Sequence, residues 1–179
     1  IETVNPTDDT VVADYVVTDT AYGADNHGIE DSSNAIQQAI KECADAGGGT
    51  VWLPAGYYKI TKPLYIKPYV TLRGEWRDPD VGEGDYGTVI LADIEAGEEG
   101  DVAFEISGNA AVDGITVYYP RQSLENPVPY NYTFRVVGGE NSANWAAYRI
   151  TNCTMLNSYN GIIISADMAI QHQTAHITD

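Results

Sequence analysis

Tyr148-Arg149-Ile150-Thr151-Asn152 returns as Ala175-His176-Ile177-Thr178-Asp179, with an Ile-Thr-Asn/Asp core repeated at a separation of 27 residues. One coil of a parallel β-helix consumes a stretch of about that length. Working outward, Val112-Asp113-Gly114-Ile115-Thr116-Val117 can be laid on Ile150-Thr151-Asn152-Cys153-Thr154-Met155 with apolar residues kept in the inward slots. Here the separation is 38 residues, so the surplus must leave the coil as a loop, and Pro120 to Trp145 supplies it with Pro127, Pro129, Gly138 and Gly139. Gly114, Asn152 and Asp179 then share one slot, where a tight bend favours residues that tolerate a left-handed backbone.

The rest of the chain after Gly49 has the same texture. Short β-rich runs at 50–53 (TVWL), 57–60 (YYKI), 64–66 (LYI), 70–74 (VTLRG), 88–92 (TVILA), 103–107 (AFEIS), 115–119 (ITVYY), 134–137 (FRVV) and 161–165 (GIIIS) are separated by Gly, Pro, Asn or Asp. Such runs suit either an antiparallel sandwich or a coiled parallel solenoid. The repeats decide for the solenoid. Before these runs, Ile36, Ala39, Ile40 and Cys43 recur at three- and four-residue intervals, which predicts one amphipathic helix over Ser33 to Ala46, stopped by Gly47, Gly48 and Gly49. A solenoid leaves its core open at each end, and this helix is placed to cover one of them. Asp19 to Asp31 reads as a loop ending at a helix N-cap, Asp31 or Ser32. Residues 1–14 read as a polar lead-in arm and 15–179 as the N-terminal coils of an all-β, right-handed parallel β-helix. Asp179 falls in the middle of a repeat, so further coils are expected as the partner of the open end. Because Ile1 is not Met, a processing boundary is expected at the start.

Composition narrows the classes of function. The 179 residues, 44% of them hydrophobic, suffice for one domain with a core. Twenty-six acidic against 9 basic residues give a formal charge of −17, which repels phosphate backbones and anionic membranes. Neither nucleic acid nor a membrane is expected as partner, and no apolar run is long enough to span a bilayer. Cys43 and Cys153 match no metal spacing and read as small core residues.

The run V-T-D-T-A-Y-G-A-D-N-H-G-I-E-D-S-S-N-A-I-Q-Q-A-I (17–40), then G-G-G-T-V-W-L-P-A-G-Y-Y-K-I (47–60) and V-T-L-R-G-E (70–75), resembles the opening of pectate-lyase-superfamily β-helix proteins. There a D-x-G-A-x-x-D-G-x-x-D-D-T-x-A-I-Q stretch precedes G-G-G-x-V-x-x-P-x-G-x-Y. This chain departs at Thr20-Ala21-Tyr22, Asn26-His27 and Glu30-Asp31-Ser32, which spares the loop-helix-strand logic. The resemblance implies a scaffold shared by polygalacturonase-like hydrolases, glucanases, pectate lyases, uronate epimerases and phage tailspikes, and therefore a polysaccharide partner and a secreted or cell-surface location. It does not imply one reaction. The expectation is a glycoside hydrolase in full-length form, inactive as this stretch alone. A polysaccharide lyase and a non-catalytic adhesin or tailspike-like module are the alternatives.

Among candidate site residues, hydrolysis needs two carboxyl groups across the scissile bond. Asp93, Glu105, Asp113 and Asp167 are the coil-borne acids available, Asp113 and Asp167 are the candidates among them, and no dyad is assigned. A lyase needs cations to neutralise a uronate carboxylate; Arg121, Arg135 and Arg149 are available, and the acidic surface favours a neutral glycan. Tyr118, Tyr119, Arg121, Tyr130, Tyr132 and Trp145 bracket the inserted loop and form a candidate glycan-contact wall, since tyrosine offers an apolar face and a polar edge. Asp78, Asp80, Glu83 and Asp85 gather among glycines as hard oxygen ligands of the kind calcium prefers, and no other cofactor is expected.

Overall fold

The computed structural model describes residues 13–77, 87–97, 99–137, 146–164 and 173–178. The first coil contains β1 (Tyr15–Val16) and β2 (His27–Asp31) and is completed by α1 (Ser33–Asp45). The second contains β3 (Gly49–Trp52), β4 (Gly56–Ile60) and β5 (Leu64–Ile66). The third contains β6 (Val70–Arg73), β7 (Thr88–Ala92) and β8 (Phe104–Ile106). The fourth contains β9 (Ala111–Asp113), β10 (Thr116–Tyr118) and β11 (Tyr132–Val136). The fifth contains β12 (Ala146–Thr151), β13 (Thr154–Leu156) and β14 (Asn160–Ile164), and β15 (Gln173–Thr178) follows.

Like strands of successive coils pair in parallel. The orders β1-β3-β6-β9-β12-β15, β2-β4-β7-β10-β13 and β5-β8-β11-β14 define sheets A, B and C. This is the right-handed parallel β-helix, the hand that twisted strands impose on parallel crossovers. Ile150 pairs with Ile177 on one side and Val112 on the other, the two registers read from the repeats. Gly114 and Asn152 hold φ of +73° and +51°, so the shared slot is a left-handed bend; Asp179 lies outside the described residues.

Alternation decides what lies inside. Val51, Leu72, Val112 and Ile150 stack in one buried column of sheet A, while Leu64, Phe104 and Phe134 do so in sheet C. The Phe104 and Phe134 rings stack at 5.1 Å. The end of this core is covered by α1, whose Ile36, Ala39, Ile40 and Cys43 are fully buried. Each isoleucine contributes about 1.5–3 kcal/mol by leaving water. The helix also does the work of a missing strand. As the edge of sheet C, β5 would leave the Tyr65 peptide groups unpaired. The Gln37 side chain instead accepts the Tyr65 N–H at 2.8 Å and donates to the Tyr65 carbonyl at 3.1 Å.

The stretch expected as one loop from Asp19 to Asp31 needs correction, because its second half is β2, paired in parallel with β4. The turn chemistry is present and local. The Asp25 carboxylate accepts the backbone N–H groups of His27 (3.0 Å), Ile29 (2.7 Å) and Glu30 (2.8 Å), and the chain leaving that turn lies alongside Tyr57 to Lys59. The helix N-cap is Ser32, whose hydroxyl is spent on the Asp25 backbone; the neighbouring Asp31 instead accepts the Ser33 N–H at 3.0 Å and the Thr61 hydroxyl at 2.7 Å. The arm expected over 1–14 lies almost wholly outside the described residues.

The N–H groups of Glu30 and His27 hold the Asp25 carboxyl below the usual carboxylate range. A carboxyl depressed on folding contributes stability above its unfolded pKa, near 3.9, and loses it as pH falls through the lower folded value. Chemical denaturation of the wild type should therefore show stability falling between about pH 5 and pH 3. Asp25→Asn should be less stable at neutral pH, since its amide turns a donor toward other donors, and should show a shallower loss on acidification. An unchanged acid limb would remove Asp25 from the account.

Candidate functional site

The outer face of sheet A gathers the most varied chemistry in register. Trp52, Arg73, Asp113 and Thr151 occupy equivalent positions on β3, β6, β9 and β12, each one residue after the buried column. Neighbouring strands lie about 4.8 Å apart, so the four side chains form a stripe along the solenoid axis. The Arg73 guanidinium sits over the Trp52 ring, 5.8 Å from its centroid, and its Nε is 3.4 Å from Asp113 Oδ2. The other Asp113 oxygen accepts the Thr151 hydroxyl at 2.8 Å and the Asn152 amide at 2.9 Å. The Arg73 and Asp113 side chains are 53% and 25% exposed, so the ion pair is worth no more than about 1 kcal/mol. Its value lies in aiming the guanidinium. In the adjacent outward row, Arg149 is exposed, in register with Ala111. The indole of Trp76 donates to the Thr154 hydroxyl at 3.3 Å and is 39% exposed. An apolar ring face, an oriented cation, hydroxyls and amides thus share one accessible strip, the equipment needed to bind a polar ring carrying an anionic group.

Asp113 is thereby placed on the stripe, with both oxygens engaged by Arg73, Thr151 and Asn152. Asp167 and Trp145 lie outside the described residues, as do Asp78, Asp80, Glu83 and Asp85. Among the described residues no group of three or more His, Cys, Asp or Glu gathers to hold a metal ion.

The aromatic wall divides. Tyr119 and Tyr130 are 0% and 1% exposed, with ring centroids 4.7 Å apart, so they are packing residues and offer no face to a ligand. Burial pushes the Tyr119 hydroxyl up to about 12. Tyr118 and Tyr132 are half-buried. Arg121 pairs with Asp93 at 2.7 Å and lies 6.0 Å from the Tyr130 ring centroid, which ties down the start of the inserted loop. That loop braces itself further through Gln122, which accepts the Val128 N–H at 2.7 Å and donates to the Val128 carbonyl at 3.0 Å. Arg135 is likewise occupied, donating to Glu105 from Nε at 3.1 Å and Nη2 at 2.6 Å.

Trp52 and Arg73 were the residues that sequence reasoning passed over. Each ends a short alternating run, and laying TVW (50–52) on TLR (71–73) in the solenoid register would have put both outside and adjacent.

Residues 16–87 match the family described as rhamnogalacturonase A/epimerase, pectate lyase-like. Over 48 residues, 27% of this chain, the sequence is 50% identical to mannuronan C5-epimerase AlgE5 of Azotobacter vinelandii, of which the match covers 5%. Over 40 residues, 22% of this chain, it is 48% identical to alginate lyase 7 of the same organism, again covering 5% of that protein. The A-module of the A. vinelandii mannuronan C5-epimerase AlgE4 superposes with a TM-score of 0.61 at 25% identity, over 90% of this chain and 42% of that module. The chain thus spans less than half of the epimerase module it matches, and a small part of the longer relatives.

Proposed function

We propose that this chain, a right-handed β-helix of the pectate-lyase-like superfamily, belongs to a protein that modifies a uronic-acid polysaccharide by taking the proton from C5 of the sugar ring. The observation that carries the reading is the stretch of 48 residues, 50% identical to a mannuronan C5-epimerase. The match to an alginate lyase, 48% identical over 40 residues, points to the same chemistry. Both reactions begin with loss of the hydrogen α to the uronate carboxylate. An epimerase returns a proton to the opposite face of C5; a lyase lets the electron pair form a C4–C5 double bond as the 4-oxygen leaves. The common demand is a cation that neutralises the carboxylate while negative charge builds on it. Arg73, aimed by Asp113 and backed by Trp52, supports that role.

This revises the weighting toward a hydrolase and a neutral glycan. The net charge of −17 slows the approach of a polyanion, but beyond about 8 Å it is screened at physiological salt, so the local cations decide binding. Such polymers are met at or outside the cell surface, and a secreted or surface location follows from this reading. No helix among the described residues is long and apolar enough to cross a membrane.

The test is to incubate the natural polypeptide carrying this sequence with polymannuronate, polygalacturonate and a neutral glucan in deuterated water. An epimerase should place deuterium at C5 of a uronate residue of inverted configuration, and a lyase should leave an unsaturated end with no hydrogen at C5. Reducing ends released with neither deuterium at C5 nor an unsaturated end would make it a hydrolase, and binding without any of these would make it a carbohydrate-binding module.

A further inference from the structure

A second accessible feature lies away from the sheet A stripe, where α1 runs along the edge of β5. Gln37, Gln38, Lys41, Asp45, Tyr65 and Lys67 line an open cleft of about 730 Å³. The Tyr65 side chain stands in it, 43% exposed, on a backbone whose N–H and carbonyl are both held by Gln37, so the ring is presented from a rigid base. Its outward direction follows from the alternation of β5, which buries Leu64 and Ile66 on either side. Two of the chain's nine basic residues meet here. Among the described residues Lys41 pairs with Asp45, one helical turn on, and both side chains are more than 60% exposed, a bond that a ligand carboxylate replaces at little cost. Lys67 has no ion-pair partner among the described residues.

We infer that this cleft is a secondary, non-catalytic binding site for a uronic-acid saccharide, which holds the polymer at the cap end while sheet A receives another segment of it. Tyr65 offers the ring against which the apolar face of a pyranose stacks. Lys41 and Lys67 offer charge-assisted hydrogen bonds to its carboxylate, and the Gln38 amide, whose Nε2 donates to Glu42 at 3.0 Å, lies beside them. The cations distinguish this cleft from an ordinary half-exposed aromatic: they sit beside the ring on a protein that is otherwise heavily acidic. The inference rests on the uronan reading above for the identity of the ligand, and on the cleft itself for the site.

Affinity electrophoresis of the natural polypeptide through gels containing polymannuronate or a neutral glucan tests it, alongside the C5 exchange assay. The wild type should be retarded by the uronan. Tyr65→Ala should weaken that retardation by about three- to tenfold, Tyr65→Phe should retain it, and Lys41→Gln with Lys67→Gln should weaken it in uronan gels alone. C5 exchange or formation of unsaturated ends on a short oligouronate should be unchanged in all of them, because the cleft takes no part in the reaction, and unaltered melting temperatures would show the fold intact. Undiminished retardation of Tyr65→Ala, or no retardation of the wild type, would overturn the cleft while leaving the exchange assay to judge the chemistry. Loss of retardation in Tyr65→Ala with neither C5 exchange nor unsaturated ends in the wild type would uphold the cleft and reject the proposed reaction.

Discussion

Alanine at Gly48 should cost the protein about 3 kcal/mol or more of stability, whereas alanine at Gly47 should cost only about 1–2. Both glycines have φ of +104°, a backbone conformation that any Cβ strains, so the conformational part of the cost is shared. They differ in what surrounds them. A Cβ on Gly47 meets nothing within 4 Å, but one on Gly48 would lie 2.5 Å from the Tyr69 carbonyl oxygen and 2.6 Å from the Tyr69 Cβ. Tyr69 has little freedom to retreat. Its own φ is +65°, its N–H donates to the Asn109 carbonyl at 3.1 Å, and its carbonyl accepts the Gly49 N–H at 3.0 Å. Relief of the clash would have to separate the helix C-terminus from the turn that enters β6, one of the contacts that seat the cap. Urea denaturation of the two variants checks the prediction, and equal midpoints would refute the close-approach argument. The reading also explains why the triple glycine has unequal members: one is a helix stop with open space around it, the next a point of backbone contact between coils.

Legibility in the sequence followed how locally each feature is determined. The registers Val112 to Ile150 and Ile150 to Ile177 could be read because stacking in a solenoid repeats the same inward slot, and a short Ile-Thr-Asn core survives at the bend between sheets A and B. The α1 stripe was legible for the same reason, since Ile36, Ile40 and Cys43 answer to one face. β2 was not. Its residues His27 to Asp31 are almost all exposed, so no apolar alternation marks it, and its strand character comes from pairing with β4 across the coil. The stripe on sheet A was half legible. Asp113 stood out beside a strand, but its partners Arg73, Thr151 and Asn152 are remote in sequence and meet it only through the solenoid register. The tyrosines misled in part because a phenol is amphipathic. From sequence, Tyr118 and Tyr119 are indistinguishable as stacking surfaces, yet adjacent residues on a strand point to opposite sides, and only one of the two can face outward.

Tyr119 should therefore behave as a core residue in every assay. Tyr119→Ala should lose about 3–5 kcal/mol, the cost of removing a large buried ring and leaving a cavity beside Tyr130 and Thr133. Its hydroxyl lies 3.0 Å from Thr133 Oγ1, and Thr133 Oγ1 donates to the Asn160 carbonyl at 3.1 Å, so Tyr119 is the donor in the first bond. Tyr119→Phe removes that donor while Thr133 keeps its bond to Asn160, and should cost about 1 kcal/mol. The exposed Tyr65 provides the contrast, since Tyr65→Ala should stay within about 0.5 kcal/mol of the wild type. Glycan affinity separates the same residues in the opposite order, with Tyr119→Phe leaving retardation in uronan gels unchanged. If Tyr119→Phe kept its melting temperature but lost affinity, the hydroxyl would be touching the ligand, and the burial that assigns it to the core would have to open in solution.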